Sequence, residues 1–270
     1  MLKTLYNTRT GGYVLKIITR PGFSRTGARV LDSRYSRLYI KRFIRRNGID
    51  MSEYVPMRYR SFNDFFIRKI KPGARPVDMD ERALVSPCDS VLSAYRINPG
   101  SVFNVKGADY TVSSLLENGG LAEKYRDGLC LIFRMMPVNY HRYIYPDQGT
   151  KEENIAIPGK LHTVRPVALN KYSVYATNSR EYTTLHTKNF GDVVFMEVGA
   201  LMVGRICNHH QKHSFTRGEE KGYFEYGGST IIMLLQKNRA RLDEELMGCM
   251  ESGQEIPVRL GQRIGERIDA

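Results

Sequence analysis

The sequence predicts an α+β protein, with a basic helical N-terminal region packed on a mostly antiparallel β body. Three observations carry this expectation. Residues 1–80 hold 18 Lys and Arg against 6 Asp and Glu, which leaves 23 against 22 for residues 81–270. Within the first stretch apolar positions recur at three- and four-residue steps, the period of a helix. From residue 84 onward short β-branched and aromatic runs alternate with Gly, Pro, Asn and Asp, the pattern of strands and turns.

The elements follow in order. Leu31, Tyr35, Leu38, Tyr39 and Phe43 line one face of a predicted basic amphipathic helix, with Arg34, Arg37, Lys41, Arg42, Arg45 and Arg46 on the remainder. A second helix begins at Ser61, with Asp64 completing an approximate capping box, and aligns Phe62, Phe65, Phe66 and Ile70 before Lys71-Pro72-Gly73 stops it. Strands are expected over Val91–Ile97, Leu129–Met135, Tyr140–Tyr145, Leu161–Arg165, Ser173–Thr177, Tyr182–Thr187, Val193–Val198, Gly222–Tyr226 and Thr230–Leu235. Asn189 to Asp192 reads as a turn, and short helices are expected over Thr111–Asn118 and Arg239–Met250. Two regions result, a basic amphipathic one over 1–80 and a β-rich one over 81–270, with no linker between them.

With 41% hydrophobic positions in 270 residues the chain can bury a sizeable core, which excludes intrinsic disorder. The apolar stretch Val198–Gly204 is far shorter than the about 20 residues that span a bilayer as a helix. No continuous apolar core marks the N-terminus as an export signal, and Cys88, Cys130, Cys207 and Cys249 show no C-x-x-C spacing, so they are read as reduced thiols in a cytoplasm. The net charge of +13 lies almost wholly in residues 1–80. That segment suits an anionic lipid surface or is the solvated back of a packed helix; no zinc-finger, RNP-type or helix-turn-helix pattern accompanies it, so a nucleic-acid partner is not expected.

Nucleotide and zinc-hydrolase signatures are absent: there is no G-x-G-x-x-G after a strand, no P-loop, no H-E-x-x-H and no G-x-S-x-G. What stands out is Lys221-Gly-Tyr-Phe-Glu-Tyr-Gly-Gly-Ser-Thr230, which leads into the buried-strand run Ile231–Leu235. Gly227 and Gly228 before a hydroxyl can simply make a bulge. Alternatively Ser229 attacks the carbonyl of Gly228, which no side chain shields, and makes an internal ester.

In this setting the chain resembles the phosphatidylserine decarboxylase family of self-processing pyruvoyl enzymes. The resemblance rests on Ser61–Arg68 with Arg75-Pro76, on Ser86-Pro-Cys-Asp-Ser90, on Asn139-Tyr-His-Arg142, on Glu197–Ala200 with Val203-Gly204, and on Gly222–Thr230, in the family's order. It implies cleavage between Gly228 and Ser229 into a β chain (1–228) and an α chain (229–270) that stay associated. It also implies conversion of Ser229 to a pyruvoyl cofactor, with no metal and no nucleotide. A substrate amine would condense with that ketone as a Schiff base, so that phosphatidylserine yields phosphatidylethanolamine and carbon dioxide. The implied setting is peripheral attachment to anionic lipid on the inner face of the cell membrane.

The resemblance further implies a Ser-His-Asp arrangement for processing, carried here by Ser229, His141 and Asp89. Alone, Asp89 would read as a turn aspartate and His141 as a strand histidine. The chain departs from the family at one position. Many members carry a second histidine three residues after the first, usually given the base role, and here that position is Ile144. The base is therefore expected to be His141, with His162 and His186 as alternatives, while His209, His210 and His213 are expected at the surface. Two other readings stay open on the residues: a pyruvoyl decarboxylase of a soluble amino acid, and an unprocessed relative that binds anionic lipid. Whether copies of the chain associate is not fixed by the sequence.

Overall fold

The computed structural model describes residues 13–15, 18–19, 27, 29–98, 102–105, 108–163, 168, 173–200, 205–226 and 229–269. Its strands are β1 (Ala83–Val85), β2 (Ser90–Arg96), β3 (Val102–Val105), β4 (Ala108–Thr111), β5 (Leu129–Met135), β6 (Arg142–Ile144), β7 (Gly149–Lys151), β8 (Ile155–Ile157), β9 (Arg180–Thr187), β10 (Gly191–Val198), β11 (Ile206–Asn208), β12 (His213–Phe215), β13 (Glu220–Phe224), β14 (Ser229–Leu235), β15 (Ala240–Leu242), β16 (Ile256–Val258) and β17 (Arg263–Arg267). With a few short helices, this is an α+β fold.

A large antiparallel sheet runs in the order β12-β7-β9-β10-β14-β5-β2-β16, with β8 also on β9. Strand β14 lies at its middle and is buried at every position, because elements cover both faces of the sheet there. That is why its sequence is a continuous apolar run and not an alternating one. The turn into β10 needs a left-handed residue, and Gly191 supplies it at φ 69°. Smaller sheets, β11-β13-β6 and β1-β17-β15, flank the large one.

The N-terminal region carries its own aromatic core of Ile40, Phe43, Phe62, Phe65 and Phe66. Ser61 caps the helix Phe62–Phe66 by accepting from the Asp64 amide at 3.1 Å, while Asp64 reaches back to the Arg60 amide, one residue earlier than a capping box would place it. Tyr226, three residues before Ser229, closes this core edge-on against Phe62 at 5.1 Å and Phe66 at 5.0 Å between centroids. Two buried arginines rivet the region to the β body. Arg68 donates to the Val138 carbonyl, and Arg142 donates through Nε and Nη2 to the Ile67 carbonyl.

Several predicted elements differ in the structure. The basic helix is divided: residues Arg34–Tyr39 form a 3-10 helix and Ile40–Asn47 an α-helix that ends at Gly48, with φ 60°. The change of period turns Tyr35 and Leu38 outward, while Ile40 and Phe43 face the core. Ser173–Thr177, expected as a strand, holds the helix Val174–Thr177; the Arg180 guanidinium donates to the nearby carbonyls of Ala176 and Asn178 and, across the fold, to those of Ser114 and Leu115, a tertiary contact that overrides β propensity. Residues 161–163 are not strand, and Arg165, like the stretch 201–204, lies outside the described residues. The helix expected over Thr111–Asn118 breaks into Val112–Leu116 and Gly119–Glu123 at Glu117, whose φ is 50°, and the one expected from Arg239 begins at Glu244 after β15.

Phe62 therefore joins the N-terminal core to the segment that leads into β14. Phe62→Ala should lower unfolding stability by about 3–5 kcal/mol, because Phe43 and Tyr226 both lose an edge partner. Urea titration of the variant against the wild type checks this.

Candidate active site

Ser229 is the first residue of β14, pairs with Met135 on β5, and is fully buried. Its hydroxyl oxygen has no hydrogen-bond partner among the described residues. A buried hydroxyl normally finds one, so the arrangement costs stability, and the neighbouring Thr230 hydroxyl is buried unpaired as well. Gly227 and Gly228, on which the expected cleavage falls, lie outside the described residues.

His141 reaches the same neighbourhood from two sides. Strand β5 ends at Met135, opposite Ser229, and a turn held by the Asn139 amide on the Met136 carbonyl at 2.9 Å delivers His141 a few residues later. From the other side, the Phe224 amide donates to the His141 carbonyl at 3.0 Å, and Phe66, which packs on Tyr226, also lies against the imidazole in a tilted arrangement with centroids 4.0 Å apart. Nδ1 of His141 lies 2.9 Å from the Asn139 carbonyl, an acceptor, which fixes the proton on Nδ1. Nε2 is then an unprotonated nitrogen, and it is buried without a partner. Burial pushes the imidazole pKa down to about 3, against the smaller opposing pull of the Asn139 carbonyl. A neutral ring with an unpartnered lone pair is the form a base requires.

Asp89 is held otherwise than a Ser-His-Asp chain would hold it. Arg75 grips it with Nε 2.9 Å from Oδ1 and Nη2 2.8 Å from Oδ2, and the Leu260 amide donates to Oδ1 at 2.9 Å. Arg75 also pairs with Glu53 at 3.0 Å. Asp89 and His141 thus have different partners, a guanidinium and a backbone carbonyl. Ile144 lies close to Asp89 along the fold. Its amide donates to the Pro87 carbonyl at 3.0 Å, two residues from Asp89, and its side chain packs with Leu260 and Tyr140. Position 144 thus lies beside the Asp89 loop, where an aliphatic side chain offers the carboxylate no hydrogen bond.

The alternative histidines separate by position. Asn178 donates to the carbonyls of both His162 and Gly199, at 2.8 and 2.7 Å, and Gly199 follows the Val198–Thr230 pair. His162 therefore lies at the Ser229 end of the sheet, and burial lowers its pKa. His186 faces Asp192, six positions along β9 from Arg180, which faces Val198. At about 3.3 Å per residue that is roughly 20 Å from the Ser229 end. It is exposed and bonded to Asp192 and Glu152. His209, His210 and His213 lie in or beside a loop at the surface.

One pair escaped the sequence reading. Glu197 faces Ile231 across β10 and β14, so it shares a sheet face with Ser229 and is its diagonal neighbour, about 7–8 Å away. Lys221 bonds its carboxylate, both side chains are fully buried, and Lys221 also donates to Asn208 at 2.6 Å. Burial raises the Glu197 pKa against the pull of Lys221. Glu197 stood in a noted motif, but its partner lies far along the chain, and Gly222 beside it leaves room for the Tyr143 hydroxyl, 2.8 Å from where a Cβ would stand.

The buried, unpartnered Ser229 hydroxyl at a strand head and the neutral buried His141 imidazole supply a nucleophile and a proton acceptor, and comparison with known proteins gives the family. The sequence model described as phosphatidylserine decarboxylase matches residues 62–266. The chain is 43% identical over 269 residues to phosphatidylserine decarboxylase proenzyme 2 of Clostridium acetobutylicum, covering 99% of this chain and 92% of that protein. It is 40% identical over 272 residues to the phosphatidylserine decarboxylase proenzyme of Clostridium botulinum, with 98% and 92% covered. The proenzyme of Clostridium novyi is 38% identical over 273 residues, with 99% and 92% covered. The chain belongs to the phosphatidylserine decarboxylase family and is a decarboxylase.

The depressed His141 pKa gives a testable consequence for stability. In the unfolded chain the imidazole titrates near its ordinary value of 6.5, and in the folded protein near 3. Its contribution is therefore complete above pH 6.5 and is lost as pH falls toward 3, because the unfolded state takes the proton first. In a Ser229→Ala background, the stability advantage of His141 over His141→Gln should shrink by about 3 kcal/mol between neutral pH and about pH 4. Urea unfolding at the two pH values measures it.

Proposed function

We propose that this chain is a phosphatidylserine decarboxylase proenzyme that cuts itself between Gly228 and Ser229 and acts on phosphatidylserine at an anionic membrane surface. The carrying observation is the Ser229 hydroxyl, buried at the head of β14 and without a hydrogen-bond partner. An orphaned buried hydroxyl next to two glycines suits attack on the Gly228 carbonyl: the ester forms at Ser229 Oγ, the amide C–N bond breaks, and the serine nitrogen takes a proton. Loss of the Ser229 Cα proton then expels the Gly228 carboxylate, and hydrolysis releases ammonia to leave a pyruvoyl group at the start of the α chain. That group supplies a ketone that takes the substrate amine and accepts the electrons released with carbon dioxide.

His141 is the residue we assign to proton transfer in both processing and turnover. Its Nε2 is the unprotonated, unpartnered nitrogen, and Phe66 and the Asn139 carbonyl hold the ring in place. His162, tethered through Asn178, is the second candidate base. Asp89, clamped by Arg75, acts as a positioning group for the loop beside Ile144. A pocket of about 320 Å3 next to this clamp is lined by Lys69, Lys71, Arg75, Arg142, Ile144 and Glu220; Arg75 and Arg142 are paired with carboxylates, which leaves Lys69 and Lys71 to meet the phosphate of a phosphoserine headgroup.

Membrane contact is assigned to the N-terminal region. Arg34, Arg37, Lys41, Arg42, Arg45 and Arg46 are all exposed, and Tyr35 and Leu38 stand exposed among them at 69% and 78%. Exposed apolar side chains within a cationic patch favour anionic lipid over plain solvation. No helix among the described residues is long and apolar enough to cross a membrane.

Denaturing mass spectrometry of purified protein should find two chains ending and starting at 228 and 229, and a single chain for Ser229→Ala, which should be inactive. An active, uncut wild type sinks the pyruvoyl reading. In parallel, His141→Ala should block both cleavage and turnover, whereas His186→Ala should leave both intact. Normal cleavage in His141→Ala with blocked cleavage in His162→Ala would move the processing role to His162. Turnover of phosphatidylserine against free serine distinguishes the lipid substrate from a soluble one.

A charge reversal at Arg42, Arg45 and Arg46 to Glu should weaken sedimentation with anionic vesicles by about a hundredfold or more, since each basic residue contributes about 1 kcal/mol at such a surface. Unchanged binding would assign the membrane contact to a different face.

A further inference from the structure

The connection from β11 to β12 and the turn that follows bring two imidazoles and a carboxylate together away from Ser229. The ligand atoms of His210, His213 and Glu219 all lie within 4.8 Å of one another. The rings of His210 and His213 stack at 4.0 Å, and Nε2 of His213 lies 2.6 Å from Oε1 of Glu219.

The surroundings hold these groups without using them up. The other carboxylate oxygen of Glu219 accepts from the Thr216 amide at 3.0 Å and from its hydroxyl at 3.3 Å, which leaves Oε1 directed at the imidazole. The loop backbone that carries His210 is pinned from below by Lys151. This buried lysine donates to the carbonyls of His210 at 2.8 Å and Gln211 at 2.5 Å. Asn154 adds a bond to the His210 carbonyl at 3.1 Å. His209 is committed elsewhere, to Glu220 at 2.7 Å, so the pair that remains is His210 and His213. The exposed His210 ring has room to turn a nitrogen toward the other two ligands.

We propose that His210, His213 and Glu219 bind a divalent transition-metal ion of the zinc type, with water completing a tetrahedral site. Two imidazole nitrogens and one carboxylate oxygen suit zinc, whereas calcium and magnesium take sets made of oxygen. Binding displaces the proton that His213 and Glu219 share. The ion joins the β11–β12 loop to the turn before β13, the strand that runs through Phe224 toward Tyr226 and Ser229.

The test uses tag-free, chelator-washed full protein, dialysed against micromolar Zn2+ and analysed for bound metal, with Co2+ substituted in parallel for its visible absorption. One ion per chain with a tetrahedral cobalt spectrum is expected. His210→Ala, on an exposed loop, and His213→Ala should each abolish stoichiometric uptake while keeping the wild-type circular dichroism. Thr216→Val, which removes only a hydroxyl that orients Glu219, should weaken binding about tenfold. His209→Ala should bind as the wild type does. No stoichiometric uptake by the wild type, or uptake unaltered in both His210→Ala and His213→Ala, would overturn the site.

Discussion

Strand β14 is bonded on one side to β10 and on the other to β5, and every one of its residues from Ser229 to Leu235 is buried. The rest of the molecule is arranged around that constraint. A strand in the middle of a sheet satisfies its backbone groups through both neighbours, so its first residue is fixed in depth and direction by pairs such as Ser229 with Met135 and Thr230 with Val198. In the proposed two-chain form, those same ladders keep the α chain in place after the bond before Ser229 is cut. The β17 strand adds a second tie, pairing with β1 from the other side of the cut.

Fixing Ser229 this way leaves the protein with a polar group in its core, and the surrounding charges share that predicament. Lys221 and Glu197 are both fully buried, as is Asp147, which Arg217 bonds at 3.0 Å. Desolvating such charges is costly, and pairing offsets the cost only when geometry and extra hydrogen bonds are good. Here Asn208 supplies the extra bond for Lys221, and Asn189 does so for Asp147. The pairs contribute little net stability on this account; Lys221–Glu197 instead fixes which strands meet near Ser229, while Asp147–Arg217 fixes the Asn189 turn at the far end of the sheet.

Arg68 and Arg142 extend the same logic to the N-terminal region. Arg68 lies over Tyr54 and Phe65 at 4.3 and 4.8 Å while bonding the turn before His141. The region whose exposed face we propose for lipid is thereby coupled, through Phe66 and Tyr226, to the imidazole and to the segment before Ser229. Its short helices need this docking, because helices of that length are marginal by themselves.

The amino-acid pattern by itself determined the α+β class, the strands β2, β5, β9, β10 and β14 to within a few residues, and the charge asymmetry. Ser229 stood out after its two glycines, whereas Asp89 and His141 became candidates only through the family resemblance. The strands were legible because apolar period and turn chemistry are local. The 3-10 turn at Arg34–Tyr39 and the helix at Val174–Thr177 were not, since distant side chains and packing decide them. Tertiary structure alone decided that Asp89 meets Arg75 rather than a histidine, that Glu197 finds Lys221, and that His162 and His186 fall at opposite ends of one strand's span. The physical reason is that partner choice for a buried charge depends on which groups the fold desolvates together, and sequence separation carries no measure of that.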